Sequence, residues 1–198
     1  PEEYKTFRRE SNRTTGNWTS EADDSKIFGN LLNNKGTYWP DVFLKDGSQS
    51  DYQLGISTGT DKTNVYVSLG LFNEKGLFEK DELNRYSIRA NIDHKISKIF
   101  SIGTQNQITY YDQDFRNDPL TTANKLVPLE EPYDAQGNLI QVINNGRNIN
   151  PLTDVLENNW EHNSRINRVF TSAYIGVNLL DNLSFKTNLG MNLTSTRE

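Results

Sequence analysis

The chain has 198 residues, a formal net charge of −5, 34% hydrophobic residues and no cysteine, with a mean hydropathy of −0.75. This composition excludes a disulfide framework and a thiolate metal site. It gives no electrostatic reason to expect a nucleic-acid partner, and it leaves no apolar run of the roughly 18 residues a transmembrane helix needs.

Residues 1–49 are polar and irregular. Pro1, Glu2 and Glu3 lead a segment whose cations, Lys5, Arg8 and Arg9, lie behind them, which predicts a short N-terminal helix with its dipole complemented. Asn12 to Ser25 is rich in Asn, Thr, Ser and Asp, and Asn33-Asn34-Lys35-Gly36 is a turn signal. Neither a charged n-region nor an apolar h-region precedes this stretch, so the expectation is an excerpt of a longer exported chain. Trp18, Tyr38 and Trp39 stand out among the polar residues. Exposed aromatics on a loop stack on a sugar ring or a partner; the commoner alternative is that they anchor the loop to its own scaffold.

Residues 50–111 read as four consecutive strands. In the third, Tyr86, Ile88, Ala90 and Ile92 alternate with Arg85, Ser87, Arg89, Asn91 and Asp93, the period of two that a pleat imposes. Tyr52, Leu54 and Ile56 form the apolar set of the first strand, and Val65, Val67, Leu69 and Leu71 that of the second. The fourth is weaker, because Thr104 and Asn106 share a face with Phe100, Ile102, Ile108 and Tyr110. Segments near ten residues match the roughly 9–11 needed to cross a bilayer at a tilt better than the usual globular strand of about 5–6. In an antiparallel meander Tyr52, Tyr86 and Tyr110 fall near one edge of the apolar face, where an interfacial aromatic girdle belongs, and Phe100 falls near the other.

Residues 112–164 form a connection far above ordinary loop length, with a helical turn expected at Pro119 to Leu126 and a turn at Asp134 to Asn138. Residues 165–198 give two more strands, the second alternating Phe185, Leu189, Met191 and Leu193 with Lys186, Asn188 and Asn192. The connections therefore run short, longer, short, very long, short, with every short one on the same edge. That is the asymmetry of bacterial outer-membrane barrels, with tight periplasmic turns and long outer loops. The expected fold is all-β, six consecutive antiparallel strands from a transmembrane barrel. Six cannot close one, and an open edge in lipid leaves backbone groups unpaired, so the rest of the wall comes from elsewhere.

Several ordered blocks carry a resemblance: Trp39-Pro40-Asp41-Val42-Phe43 followed by Gly47 and Tyr52, Gly55 through Thr63, Leu69 through Gly76, Arg85 through Asp93, and Asn150-Pro151-Leu152. In these the chain resembles the SusC/RagA-like TonB-linked outer-membrane transporters of Bacteroidota. It departs from them at Thr58, where glycine is common, and in the stretch before Trp39. The resemblance implies a single-chain barrel of 22 strands in the outer membrane, with an N-terminal plug that lies outside this sequence. It implies TonB, reached through the plug, and a SusD-like surface lipoprotein as partners, and a large glycan or peptide nutrient as cargo. The cargo, and whether the transporter forms a homodimer, stay open.

Enzyme readings are weak, and no catalytic residue, cofactor or metal is expected. His94, in a short turn, and His162, in the long loop, lack a ligand-type spacing. Asp112, Asp114 and Asp118 lack the glycine and terminal glutamate of an EF-hand loop, and the adjacent Glu130 and Glu131 do not form a catalytic carboxylate pair. Asn12-Arg13-Thr14 and Asn17-Trp18-Thr19 satisfy a glycosylation tripeptide that arises readily in a chain this rich in Asn and Thr. Arg85, Arg89 and Lys186 either tune a lumen or pair with Asp93 and its neighbours. The expected function is a piece of a nutrient-transporter wall, with Trp18, Trp39 and Trp160 as ligand or lid contacts. The alternative is a soluble or secreted β binding module that recognises its target through the long loop and covers its apolar sheet face with a second layer.

Overall fold

The computed structural model describes residues 1–116, 118–143, 146–156, 162–180 and 182–198. Two compact units emerge. One is the sheet, built from Gly47–Gly76, Lys80–Phe115 and Glu161–Glu198; the other is a loop unit from Pro1–Asp46, Leu77–Glu79 and the described residues of Arg116–Trp160.

The loop unit opens with α1 (Glu2–Thr14), one turn longer than the charge pattern alone suggests, with Glu2 and Glu3 in its first turn and Arg13 in its last. Helical turns at Glu21–Asp23 and α2 (Asp24–Phe28) occupy part of the stretch whose composition reads as loop. There the Asp23 carboxylate accepts bonds from the Thr19 amide and hydroxyl and from Lys26, which supplies the local order. α3 (Trp39–Phe43) has proline in its first turn, where the missing N–H costs nothing. Further on lie α4 (Leu120–Ala123) and a 3₁₀ turn at Pro151–Val155. The core of this unit is Trp39, Phe43, Ala123, Leu126, Ile143 and Leu152, with Val42, Phe78, Leu139 and Ile140 packed against it.

The main sheet is an antiparallel meander of β1 (Ser48–Gly59), β2 (Thr63–Lys75), β3 (Glu82–Lys95) and β4 (Phe100–Asp114). A two-residue ribbon, β5 (Val142–Ile143) with β6 (Asn148–Ile149), belongs to the loop unit. β7 (Asn163–Leu180) and β8 (Leu183–Arg197) complete the sheet in the order β1-β2-β3-β4-β7-β8. Every strand is longer than the periodicity suggests, because pairing continues past the last apolar residue into polar ends such as Asn73 opposite Asn84. His94 consequently lies within β3, its Nδ1 2.8 Å from the Thr63 hydroxyl, rather than in the turn. Two short turns share one device: Thr60 and Ser97 each accept two backbone N–H groups on the side-chain hydroxyl, which closes a tight turn without glycine.

Register gathers the alternating residues into rows. Leu54, Leu69, Ile88, Ile108, Val169 and Leu193 are successive cross-strand neighbours across all six strands. Tyr52, Leu71, Tyr86 and Tyr110 form a parallel row toward the end with the long connections, where the Tyr86 and Tyr110 rings stack at 6.2 Å. One step further the same face turns polar, with Ser50, Asn73, Asn84, Asp112, Arg165 and Arg197. At the opposite end Phe100, Val177 and Phe185 are neighbours. The residues between are exposed: Leu54 by 64%, Ile108 by 51% and Leu189 by 81%. Among the described residues, by contrast, every buried apolar one belongs to the loop unit. Among the described residues no helix is long and apolar enough to cross a membrane.

Candidate functional site

The second face of the sheet is wet, and its polar side chains hold one another. The Tyr174 hydroxyl donates to Asp93 Oδ1 at 2.7 Å, and Lys186 Nζ lies 3.7 Å from the centre of the Tyr174 ring. Tyr174 reaches Asp93 across β4 because Gly103 stands between them; a Cβ there would lie 2.2 Å from the ring, so glycine makes room for a cross-strand aromatic. The Arg85 guanidinium lies 4.5 Å over the Phe72 ring and 3.7 Å from Asp51. Arg89 Nη2 donates to Gln107 Oε1 at 2.9 Å, and Arg168 lies 5.5 Å over the Tyr111 ring. Asp93 is thus engaged by Tyr174 and not by an arginine. Arg85, Ser87, Arg89, Ser68 and Gln107 border a shallow cavity of about 230 Å³. Arg168 and Tyr174 were legible in principle, since continuing the period of two through β7 places both on the wet face.

On the apolar face Asn106 is an exception that the structure satisfies locally. Its amide nitrogen is 3.0 Å from the Thr104 hydroxyl, and its oxygen accepts the Thr171 hydroxyl at 2.6 Å. This polar trio offsets the cost of amide groups on a lipid-type surface.

Two of the expected contact residues, Trp18 and Trp39, lie inside the loop unit. Trp39 is 2% exposed, stacks on Phe43 at 6.3 Å, and donates its indole N–H to the Val127 carbonyl at 3.1 Å. Trp18 is buried, donates to Asp24 Oδ1 at 2.9 Å, and has the Arg13 guanidinium 4.5 Å over its ring. Neither indole presents an open face. Trp160 lies outside the described residues. Tyr38, by contrast, is 67% exposed.

Asp24, itself buried, also receives two bonds from Arg9. The Arg9 guanidinium first, and then the Trp18 N–H, hold its carboxyl below the ordinary value against the opposing effect of burial; Arg9 is raised reciprocally. Arg116 donates to the Pro151 carbonyl at 3.0 Å and lies 5.9 Å over the Phe43 ring. Burial pushes its guanidinium below the usual value.

The two sequence blocks outside the sheet meet in this unit. Asn150, fully buried, donates to the Pro132 carbonyl at 3.2 Å and the Ile140 carbonyl at 2.8 Å, and accepts the Leu152 N–H at 3.0 Å. Leu152 then packs with Trp39 and Phe43. Gly36 has φ of +80°, and a Cβ there would lie 2.5 Å from both Pro1 and the Pro128 carbonyl, so only glycine fits.

No group of His, Asp and Glu residues fit to hold a metal occurs among the described residues. Asp112 and Asp114 both accept from the Asn163 amide, at 2.9 and 2.8 Å, and Asp118 accepts the Leu120 N–H. Glu131 accepts the Lys35 N–H, and His162 lies against the Phe115 ring at 5.1 Å.

No family model matches the chain. It is 28% identical over 178 residues to TonB-dependent receptor P3 of Formosa agariphila, a match covering 81% of this chain and 17% of that protein. With TonB-dependent receptor P39 of the same organism it shares 31% identity over 162 residues, or 77% of this chain and 14% of the relative. Among solved structures, the RagAB peptide importer in its closed-closed state superimposes with a TM-score of 0.68 at 19% identity, over 82% of this chain and 19% of that one. A further structure of the RagAB peptide transporter gives 0.67 at 18%, over 83% and 19%. At those identities the likeness is one of fold, and the chain spans less than a fifth of each of these relatives. By sequence the chain belongs to the TonB-dependent receptors, a family of the outer membrane, and it shares its fold with the matching part of the RagAB structures.

Proposed function

We propose that the chain supplies six neighbouring wall strands and the outer loops of a 22-stranded barrel that imports large nutrients, glycan or peptide. In this reading a SusD-like surface lipoprotein closes over the lumen, and TonB acts through a plug elsewhere in the protein. The observation that carries the proposal is the apolar face: exposed, continuous across six strands, and bounded by a tyrosine row at one end and a phenylalanine pair at the other. From Phe100 to Tyr110 β4 advances about 33 Å. At a tilt of about 35–45° that is a height of about 25 Å, the apolar band of outer-membrane barrels. A soluble sheet would leave this surface in water, well beyond the patch size monomers tolerate, and the second layer a binding module needs is not supplied by the described residues.

The loop unit grows from segments joined to the sheet at the tyrosine end, which in this reading is the outer surface. Trp18 and Trp39 serve the mouth of the transporter by holding loop shape, and exposed residues such as Tyr38 take the contact with cargo or lipoprotein. The test is fractionation of the source organism. The expected result is a polypeptide several times 22.7 kDa in the outer-membrane fraction, migrating faster unheated than boiled. A soluble species of 22.7 kDa, folded without detergent, would overturn the proposal.

A further inference from the structure

We infer that the wet face of the sheet holds a recognition site for polyanionic cargo, centred on Arg85, Arg89 and Arg168; the inference rests on the reading of that face as lumenal. Arg85 and Arg89 are four residues apart on β3, about 13 Å along the strand. Arg168 lies two strands away, in the row of Ser87 and Thr109, at a height between the other two. The three form a triangle roughly 12 Å on its shorter sides around a polar patch.

Stability alone would place acids beside these cations, since opposite-charge cross-strand pairs stabilise a sheet and like charges oppose it. The register does otherwise. Arg85 sits between Phe72 and Tyr111, Arg89 between Ser68 and Gln107, and Arg168 between Thr109 and Thr194. None of these six neighbours is acidic. Among the described residues the one carboxylate within ion-pair distance of any of the three is Asp51, 3.7 Å from Arg85, a contact longer than a hydrogen bond. Arg89 and Arg168 have no carboxylate within ion-pair distance among the described residues.

Apart from that one long ion pair the guanidiniums are positioned by neutral groups: Arg85 and Arg168 by ring faces, Arg89 by one amide oxygen. A ring fixes the plane of a guanidinium while leaving its N–H edge free, and that edge matches carboxylate or sulfate oxygens two at a time. Hydroxyl and amide donors on Ser68, Ser87 and Gln107 border the same cavity. Cations spaced this far apart suit repeated anionic groups along an extended ligand better than one compact ion. In a confined lumen their field is screened less than on an open surface.

The test uses the whole transporter purified in detergent, with short-chain dextran sulfate and neutral dextran of the same length as probes. Wild-type protein should bind dextran sulfate with an affinity that falls as salt is added, and should bind neutral dextran more weakly. R85Q/R89Q should weaken dextran sulfate binding by about tenfold or more, the scale of losing charge-assisted hydrogen bonds. R8Q/K125Q, which removes the same charge from the loop unit, should change it little. R85K/R89K, which keeps the charge without the fork, should lie between. Equal binding by wild type and R85Q/R89Q, equal loss in the loop-unit variant, or equal affinity for both dextrans would overturn the inference. Heat-modifiable migration on the same preparations separates the two levels. A folded barrel indifferent to its arginines sinks only the anion site, whereas a protein that is no barrel sinks the lumenal reading beneath it.

Discussion

Asn150 shows how much of the loop unit depends on single polar side chains. Its amide joins the carbonyls of Pro132 and Ile140 to the 3₁₀ turn at Pro151–Val155, and no water-exposed surface is left to compensate a loss. Asn150→Ala strands the Ile140 carbonyl and the Leu152 N–H, while the Pro132 carbonyl keeps the Ile140 N–H, so on the order of 2–4 kcal/mol of local stability should go. Protease sensitivity of the 116–156 region should rise while the barrel stays heat-modifiable; unchanged proteolysis would refute the hub role. Asp24 gives a second residue-scale expectation. Its folded pKa is depressed, so its contribution is complete above the ordinary carboxylate value near 4. That contribution is lost as pH falls through the lower folded value. Trp18 fluorescence should therefore stay constant from neutral pH to about 5 and change only below about 4, and Asp24→Asn should remove that late acid transition. The blocks around Trp39 and Asn150 could be found in the sequence as ordered motifs. Their burial could not, because an indole in a polar stretch reads as a loop anchor or as a contact group, and the amide carries no burial signal, until their partners, Val127, Pro132 and Ile140, are brought near by long-range folding.

At the scale of the strand, nearly everything rests on alternation. The apolar sets of β1 to β4 follow directly from the period of two in Tyr52, Val67, Ile88 and Ile108, and the register aligns them into one face. What alternation does not carry is where pairing stops. The ends are set by polar cross-strand bonds such as that from the Asn73 amide to Asn84 Oδ1 at 2.7 Å, and these have no apolar signature. Nor does one strand reveal that Phe100 and Phe185 share a row, since Val177 on β7 must first be placed between them. Ile92 lies near midway between the aromatic rows, so Ile92→Lys should cost about 2–4 kcal/mol of barrel stability. The change Asn91→Lys, one residue away on the wet face, should cost well under half of that. Urea midpoints of the two variants, refolded into lipid bilayers, give the comparison. Similar losses at both positions would mean that the two faces meet the same medium.

At the scale of the molecule, the chain is a segment whose two faces require different surroundings. Its apolar face is exposed across six strands, its wet face carries its own polar and charged pairs, and its outermost strands, β1 and β8, each pair on one side only among the described strands. Open edges of this kind are tolerable in a bilayer only if further strands continue the wall, which fits a chain spanning less than a fifth of its relatives. The strands and turns of this sheet were legible because its two faces follow a strict binary pattern. The loop unit was not, because its order comes from buried polar hubs. The most direct measurement is cysteine accessibility along β3 in the whole transporter in its native outer membrane, placed one at a time from residue 87 to residue 92 in a segment that has no cysteine of its own. The account predicts strict alternation. Positions 88, 90 and 92 should resist water-soluble maleimide and, once carrying a fluorophore, be quenched by a lipid-dissolved quencher, with 87, 89 and 91 behaving in reverse. Uniform labelling at all six positions would contradict it.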